Sequence, residues 1–273
     1  MHERTTSRLR RGFHAAWAWS RLNRICANLI IRKGFGAATT RINGSIAILT
    51  QGPEPVDLES KLITVQAEFK QRYSRRGETA KAFQRRVREQ WFDTYAPETL
   101  PGIDIGCQHD PLNESFRRFD MIFGDGDASL MEGVPDQVFH TVYASHVLEH
   151  LVDPKVALRS WYRILRPGGH LIVIVPHRDL YEKRTVLPSQ WNGDHKWFWL
   201  PDQSEPPHTL SLKQVLEEAG LEDSELVSVR VLDDGYDYSL PADVHAIGEF
   251  SIEAIVRRQA HPGSQVRDDA DYR

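Results

Sequence analysis

Residues 139–176 read FHTVYASHVLEHLVDPKVALRSWYRILRPGGHLIVIVP, and their rhythm changes twice. Phe139–Ser145 is a run of β-type residues. Asp153 followed by Pro154 then offers an N-cap and a first-turn proline for a helix. Ala157, Trp161, Ile164 and Leu165 recur near the helical period and share one face. Pro167-Gly168-Gly169 reads as the stop of that helix. His170–Pro176 is continuously apolar and β-branched, as a strand covered on both faces should be. Strand, helix and buried strand make a βαβ unit, which implies a parallel sheet with a right-handed crossover.

In such a sheet ligands bind beyond the carboxyl ends of the strands, so the exit of the first strand is the next place to look. There residues 102–112 read GIDIGCQHDPL. Gly102–Ile105 has the form of a buried strand, and Gly106 is able to turn where a side chain would clash. Gln108 and Asp110 stand where further glycines of a nucleotide-binding turn would be expected. Downstream, a helix over Ser211–Ala219 and strands at Ser224–Leu232 and Val244–Arg257 complete the pattern.

The rest of the chain sets limits. Its 273 residues, 40% hydrophobic and 26% charged, suit one α/β domain with an appendage, and no apolar run is long enough to span a bilayer. Cys26 and Cys107 are too few for a disulfide framework and have no partners at metal-ligand spacing. A cytoplasmic setting and no metal are expected. The net charge of −4 hides a basic start: the first 41 residues carry nine Arg and Lys residues, from Arg4 to Arg41, against the single acid Glu3. With Leu9, Phe13, Trp17 and Leu22 at helical spacing, a transit peptide, an interfacial helix and a helix docked on the body or on a second copy all fit. A homodimer through these helices follows from the last option. Residues 34–55 read as a linker with a short strand at Ser45–Thr50, and 57–92 as helical with a basic face between Lys70 and Arg88. A charge run is usually a solvated face, and no RNA motif accompanies it, so nucleic acid is not an expected partner.

Four phrases follow one another in order: GIDIGC, GDGDA at 124–128, YASHVLEHLVDP at 143–154 and LRPGGHLIVIVPH at 165–177. Together with HTLS at 208–211 before a helix closing in EEAGL, they resemble the class I S-adenosylmethionine-dependent methyltransferases, in particular the type 11 group. The resemblance covers roughly residues 101–257. It implies a doubly wound, Rossmann-like α/β fold with a seven-stranded, mainly parallel sheet, here behind an N-terminal helical extension. Residues 1–100 would be that basic extension with its linker, 101–258 the methyltransferase domain, and 259–273 a polar, disordered tail.

The resemblance also implies roles. Asp104, Gly106 and Cys107 would face the methionine part of S-adenosylmethionine, Asp120 or Asp125 the ribose, and Asp127 with Ala128 the adenine. Ala144, Ser145 and His146 would lie under the sulfonium. The span from Asp104 to Asp127 is short for the family, with little room for a helix between the first two strands. The acids suit a cationic cofactor and would repel a pyrophosphate.

Methyl transfer needs an aligned nucleophile and, for a hydroxyl acceptor, a base. His146, His150, His177 and His195 all follow strands and are candidates, His195 first. In the insertion 178–203, Trp191, Trp197, Phe198 and Trp199 surround Asp194, His195 and Lys196, a combination suited to walling an acceptor, with Trp197 or Trp199 stacking on it. The expected function is methylation of a small molecule, an oxygen of a sugar, glycolipid or secondary metabolite. The alternatives are an RNA or protein methyltransferase docking through its basic segments, and a methyltransferase-like binding module without catalysis.

Overall fold

The computed structural model describes residues 77–260, apart from His109 and Glu114. The basic N-terminal segment, the Ser45–Thr50 strand, most of the 57–92 helical stretch up to residue 76, and the tail from residue 261 lie outside the described residues.

The described chain opens with three short helices, α1 (Glu78–Lys81), α2 (Phe83–Arg88) and α3 (Trp91–Tyr95). β1 (Gly102–Ile105), β2 (Arg117–Phe119) and β3 (Phe139–Ser145) follow, then α4 (Pro154–Arg163) and β4 (Leu165–Pro176). β5 (Phe198–Leu200) and β6 (Thr209–Ser211) precede α5 (Leu212–Glu218), β7 (Ser224–Leu232) and β8 (Ser251–Arg258). The main sheet runs β2-β1-β3-β4-β8-β7, parallel as far as β4 and antiparallel in its last two pairings.

The βαβ unit forms as the residues dictate. The Asp153 side chain accepts hydrogen bonds from the amides of Lys155 and Val156 and caps α4, a contact typically worth about 1 kcal/mol. The helix buries Ala157, Leu158, Trp161 and Tyr162. It stops earlier than Pro167-Gly168-Gly169 suggests: Ile164 is its C-cap and Leu165 already pairs with Phe139. The Pro-Gly-Gly stretch is instead an irregularity within β4, where the register shifts between Phe139 and Thr141. A Cβ at Gly169 would lie 2.5 Å from the His140 carbonyl oxygen, so the two backbones touch there.

β4 is covered on both sides, as its uninterrupted apolar text implies. Leu171, Val173 and Val175 pack with Leu158 and Trp161 of α4 and Leu212, Val215 and Leu216 of α5. Ile172 and Ile174 face the opposite core with Trp91 and Ala96, together with Leu112 and Phe116 from the connection between β1 and β2. Among its described residues that connection contains no helix, in keeping with its shortness.

Among the described residues the main sheet has six strands, where seven are expected. The difference lies between β2 and β3. Residues 120–138 are spent on a 3-10 turn at Met121–Phe123 and a turn opened by Asp127, which leaves no length for another strand. The final strand begins at Ser251 rather than Val244, after a long loop. The insertion after β4 also folds differently from the expected acceptor wall. Phe198–Leu200 pairs in parallel with Thr209–Ser211, and Trp199 is wholly buried in the α4–α5 core. Trp197 packs against the same core and donates its indole N–H to the Leu151 carbonyl at 3.1 Å. These rings hold the insertion onto the body.

Candidate active site

The loops at the carboxyl ends of β1, β2 and β3 meet at Gly106. Its φ of +73° lies in the left-handed region, and a Cβ there would sit 2.2 Å from Val147 Cγ2. Gln108 takes the same kind of conformation, with φ +46°, without being a glycine, and its amide donates to Asp120 Oδ2 at 3.0 Å. Asp120 Oδ1 accepts from the Ile122 amide at 2.9 Å, so one carboxylate ties the β1 loop to the turn after β2. Asp125 accepts from the Asp120 amide at 3.0 Å. Asp127 is exposed and caps its own turn through the Ser129 amide, while the Ala128 carbonyl accepts the Trp161 indole N–H at 2.7 Å. α4 therefore anchors the 127–131 turn.

Asp104 is buried and accepts from the Leu112 amide at 2.6 Å. Burial pushes its carboxyl up to about 8, against the smaller opposing effects of that hydrogen bond and of Arg86. The Cys107 thiol is raised to about 12, first by burial and then by Asp104, so it is no nucleophile at neutral pH. Arg86 is also buried, donating from Nη2 to the Tyr143 hydroxyl at 2.9 Å. Its Nε and Nη1 have no hydrogen-bond partner. Beside it opens a small polar recess lined by Glu78, Ser145, Glu249 and Ser251.

One step beyond Ser145, three of the four candidate histidines gather around a carboxylate. His146, at φ +56°, bonds Ser251 Oγ through Nε2 at 2.9 Å and presents Nδ1 3.6 Å from Glu149 Oε1. The same oxygen lies 3.9 Å from His150 Nε2 and 3.9 Å from His195 Nε2. His195 Nδ1 meets Glu182 Oε1 at 2.5 Å, and Ser189 Oγ donates to the other Glu182 oxygen. The Lys196 amide donates to the Glu149 carbonyl at 2.7 Å, which brings the insertion to the β3 exit. Burial, then His195, lowers His146 to about 3; the same two causes lower His150. Burial drives Glu149 well above the usual carboxylate range. His177 stands apart from this set: its Nδ1 caps the turn Arg178–Glu182 by accepting from the Asp179 amide at 3.1 Å.

Residues 74–226 match the family model described as a methyltransferase domain. The chain belongs to this methyltransferase family. The matched stretch is a methyltransferase domain, for which the sequence resemblance implies S-adenosylmethionine as cofactor. The ubiquinone/menaquinone biosynthesis C-methyltransferase of Enterobacter sp. (strain 638) is 30% identical over 105 residues, 33% of this chain and 42% of that protein. Its counterpart from Vibrio cholerae serotype O1 (strain ATCC 39541) is 31% identical over 102 residues, 32% and 39% of the two chains. This chain thus spans about two fifths of the length of the curated relatives it matches. A solved S-adenosylmethionine-dependent methyltransferase from Archaeoglobus fulgidus aligns over 70% of this chain and 98% of its own, at 15% identity and a TM-score of 0.40.

The residues present fit the methyltransferase cofactor. Arg86 offers two buried, unpartnered N–H-bearing nitrogens, a match for a carboxylate. Met121 and Ile122 are exposed beside Asp120, an apolar surface for a base next to an acid for hydroxyls. Sequence reasoning singles out neither Arg86 nor the Glu149 and Glu182 carboxylates. Glu149 had a signal: it stands three residues after His146 and directly before His150. Glu182 had none, because its meeting with His195 depends on how the insertion folds back.

Proposed function

We propose that this methyltransferase acts on an oxygen of a small molecule, of the sugar, glycolipid or secondary-metabolite kind, at the histidine cluster beyond β3. The cofactor supplies an electrophilic methyl group on its sulfonium. Asp104, Gly106 and Cys107 would flank its methionine part, with Arg86 on the carboxylate. Asp120, with lone pairs to spare after accepting two amides, would take the ribose hydroxyls, with Asp125 the alternative. Asp127 and Ala128 would receive the adenine, and Ser145 with His146 would border the sulfonium.

The observation that carries the oxygen reading is the His195–Glu182 pair. Glu182 fixes one ring nitrogen of His195 and turns the other toward the shared centre, the arrangement by which a carboxylate orients an imidazole for proton removal. His146 and His150 are held neutral beside it, so none competes as a cation. The aligned acceptor loses its proton to the protein as its oxygen takes the methyl group. A cytoplasmic setting belongs to the same proposal.

The test combines S-adenosylhomocysteine calorimetry with kinetics on an identified acceptor. His195→Ala is expected to lower kcat by about 100-fold or more while cofactor affinity stays within a factor of about 3. Unchanged kcat, or a product methylated on carbon, would overturn the oxygen reading.

A further inference from the structure

Glu149, His150 and His195 each bring one ligand atom to a common centre, and these atoms all lie within 4.8 Å of one another. The Glu149 carboxylate is wholly buried, and neither oxygen accepts a hydrogen bond. A buried carboxylate left in that condition is costly unless it takes up a proton or a cation meets it. The two flanking imidazoles approach one of its oxygens, Oε1, at 3.9 Å each, too far for hydrogen bonds. Donor atoms about 2.1 Å from a tetrahedral ion stand about 3.4 Å from one another, so the two 3.9 Å approaches would close by about half an ångström and the widest separation, within 4.8 Å, by at most about 1.4 Å to make a coordination shell of this triad.

The surroundings are those of a ligand set as well. In metal sites the imidazole nitrogen that does not bind the ion characteristically donates to a carboxylate, which fixes the tautomer and the ring. His195 has that partner in Glu182, itself held by Ser189 Oγ. Its remaining nitrogen is the one that faces Glu149. His150 packs edge-on against His195, with ring centroids 4.8 Å apart, and borders the more accessible side of the cluster.

We propose that Glu149, His150 and His195 bind a divalent first-row transition ion, with Glu182 as a positioning residue acting through His195. Two imidazoles and one carboxylate suit zinc, iron or manganese rather than magnesium or calcium, which take all-oxygen shells. No ligand spacing marks the site in the sequence, because His195 lies far along the chain from the other two. If the proposed oxygen acceptor is also right, the ion takes over the activation of that oxygen: coordination acidifies the acceptor hydroxyl, its proton passes to solvent, and the histidines serve as ligands instead of as the free base. The site itself does not depend on that reading.

The experiment uses the full chain freed of metal with a chelator, titrated with Zn²⁺ by calorimetry and with Co²⁺ by visible absorption. Saturable binding of a single ion at micromolar affinity or tighter is expected, with a cobalt spectrum showing nitrogen ligation. Glu182→Gln should weaken Zn²⁺ binding by about 10–100-fold, as loss of an outer-shell carboxylate does, and Glu149→Gln or His195→Gln by more. His208→Gln, outside the cluster, should leave it unchanged. Circular dichroism separates misfolding from lost ligation. Absence of one-to-one binding by the unmodified chain overturns the site whatever the variants do, and so does Zn²⁺ affinity that Glu182→Gln and His195→Gln leave intact in folded protein. S-adenosylhomocysteine affinity, measured on the metal-free chain, reports on cofactor binding separately. If the ion binds but its removal leaves methylation of the acceptor unchanged, the site stands and the activation of oxygen by it falls.

Discussion

Gly106→Ala probes the junction of the loops beyond β1, β2 and β3. The substitution carries two separable penalties. A left-handed backbone costs a residue with a Cβ about 1–2 kcal/mol, and Gly106 has φ +73°. The added methyl would lie 2.2 Å from Val147 Cγ2, and overpacking of this kind costs about 1–3 kcal/mol. Their sum is about 2–5 kcal/mol, measurable as a shift of the urea midpoint at constant m. Val147→Ala removes the colliding methyl. In that background Gly106→Ala should cost only the backbone part, about 1–2 kcal/mol, so the double-mutant cycle should return a favourable coupling of about 1–3 kcal/mol. Additive effects, with coupling below about 0.5 kcal/mol, would refute the collision; a single-variant loss below that value would refute the strained turn as well.

Two further perturbations test the core on either side of the sheet. Asp104 has its folded-state carboxyl raised to about 8, whereas an unfolded aspartate titrates near 3.9, so its contribution is fully present below pH ~4 and is lost as pH rises through ~8. Between those limits the native stability should fall relative to Asp104→Asn by about 1.4 kcal/mol per pH unit, read from denaturant curves at several pH values; parallel profiles would mean that Asp104 is ionised in the fold. Trp199→Ala, which empties a wholly buried site in the α4–α5 core, should destabilise the protein by about 3–5 kcal/mol, and a folded variant with native stability and a raised acceptor KM would instead restore the stacking role.

The parts of the fold that sequence reveals are those whose signals are local. Asp153-Pro154 announces α4, and the unbroken HLIVIVP announces a strand with two covered faces, because capping and burial act within a few residues. The Pro-Gly-Gly stretch misleads because a bulge in a strand and the end of a helix ask for the same residues; only the pairing of Leu165 with Phe139 decides between them. The histidines are visible as a set, since all four fall after expected strands or in the loops that follow them. Their organisation is not. It depends on the Lys196 amide reaching the Glu149 carbonyl and on Glu182 turning back to His195, contacts that leave no periodic trace. The tryptophans are equally ambiguous in text: flat apolar rings near polar residues read as a binding wall, yet Trp199 sits at zero exposure behind the sheet.

The helix-free connection between β1 and β2 fuses two duties that a longer crossover keeps apart. Its first residues, Gly106 to Gln108, shape the loop proposed to flank the cofactor, and a few positions later Leu112 and Phe116 plug the sheet face over Ile172 and Ile174. The loop is therefore no detachable ornament on a finished scaffold. Lengthening or grafting it would uncover the sheet, and a ligand that steadies its beginning also steadies its hydrophobic end. On the proposed placement of the cofactor, saturation of its site and the integrity of one whole layer become a single cooperative property.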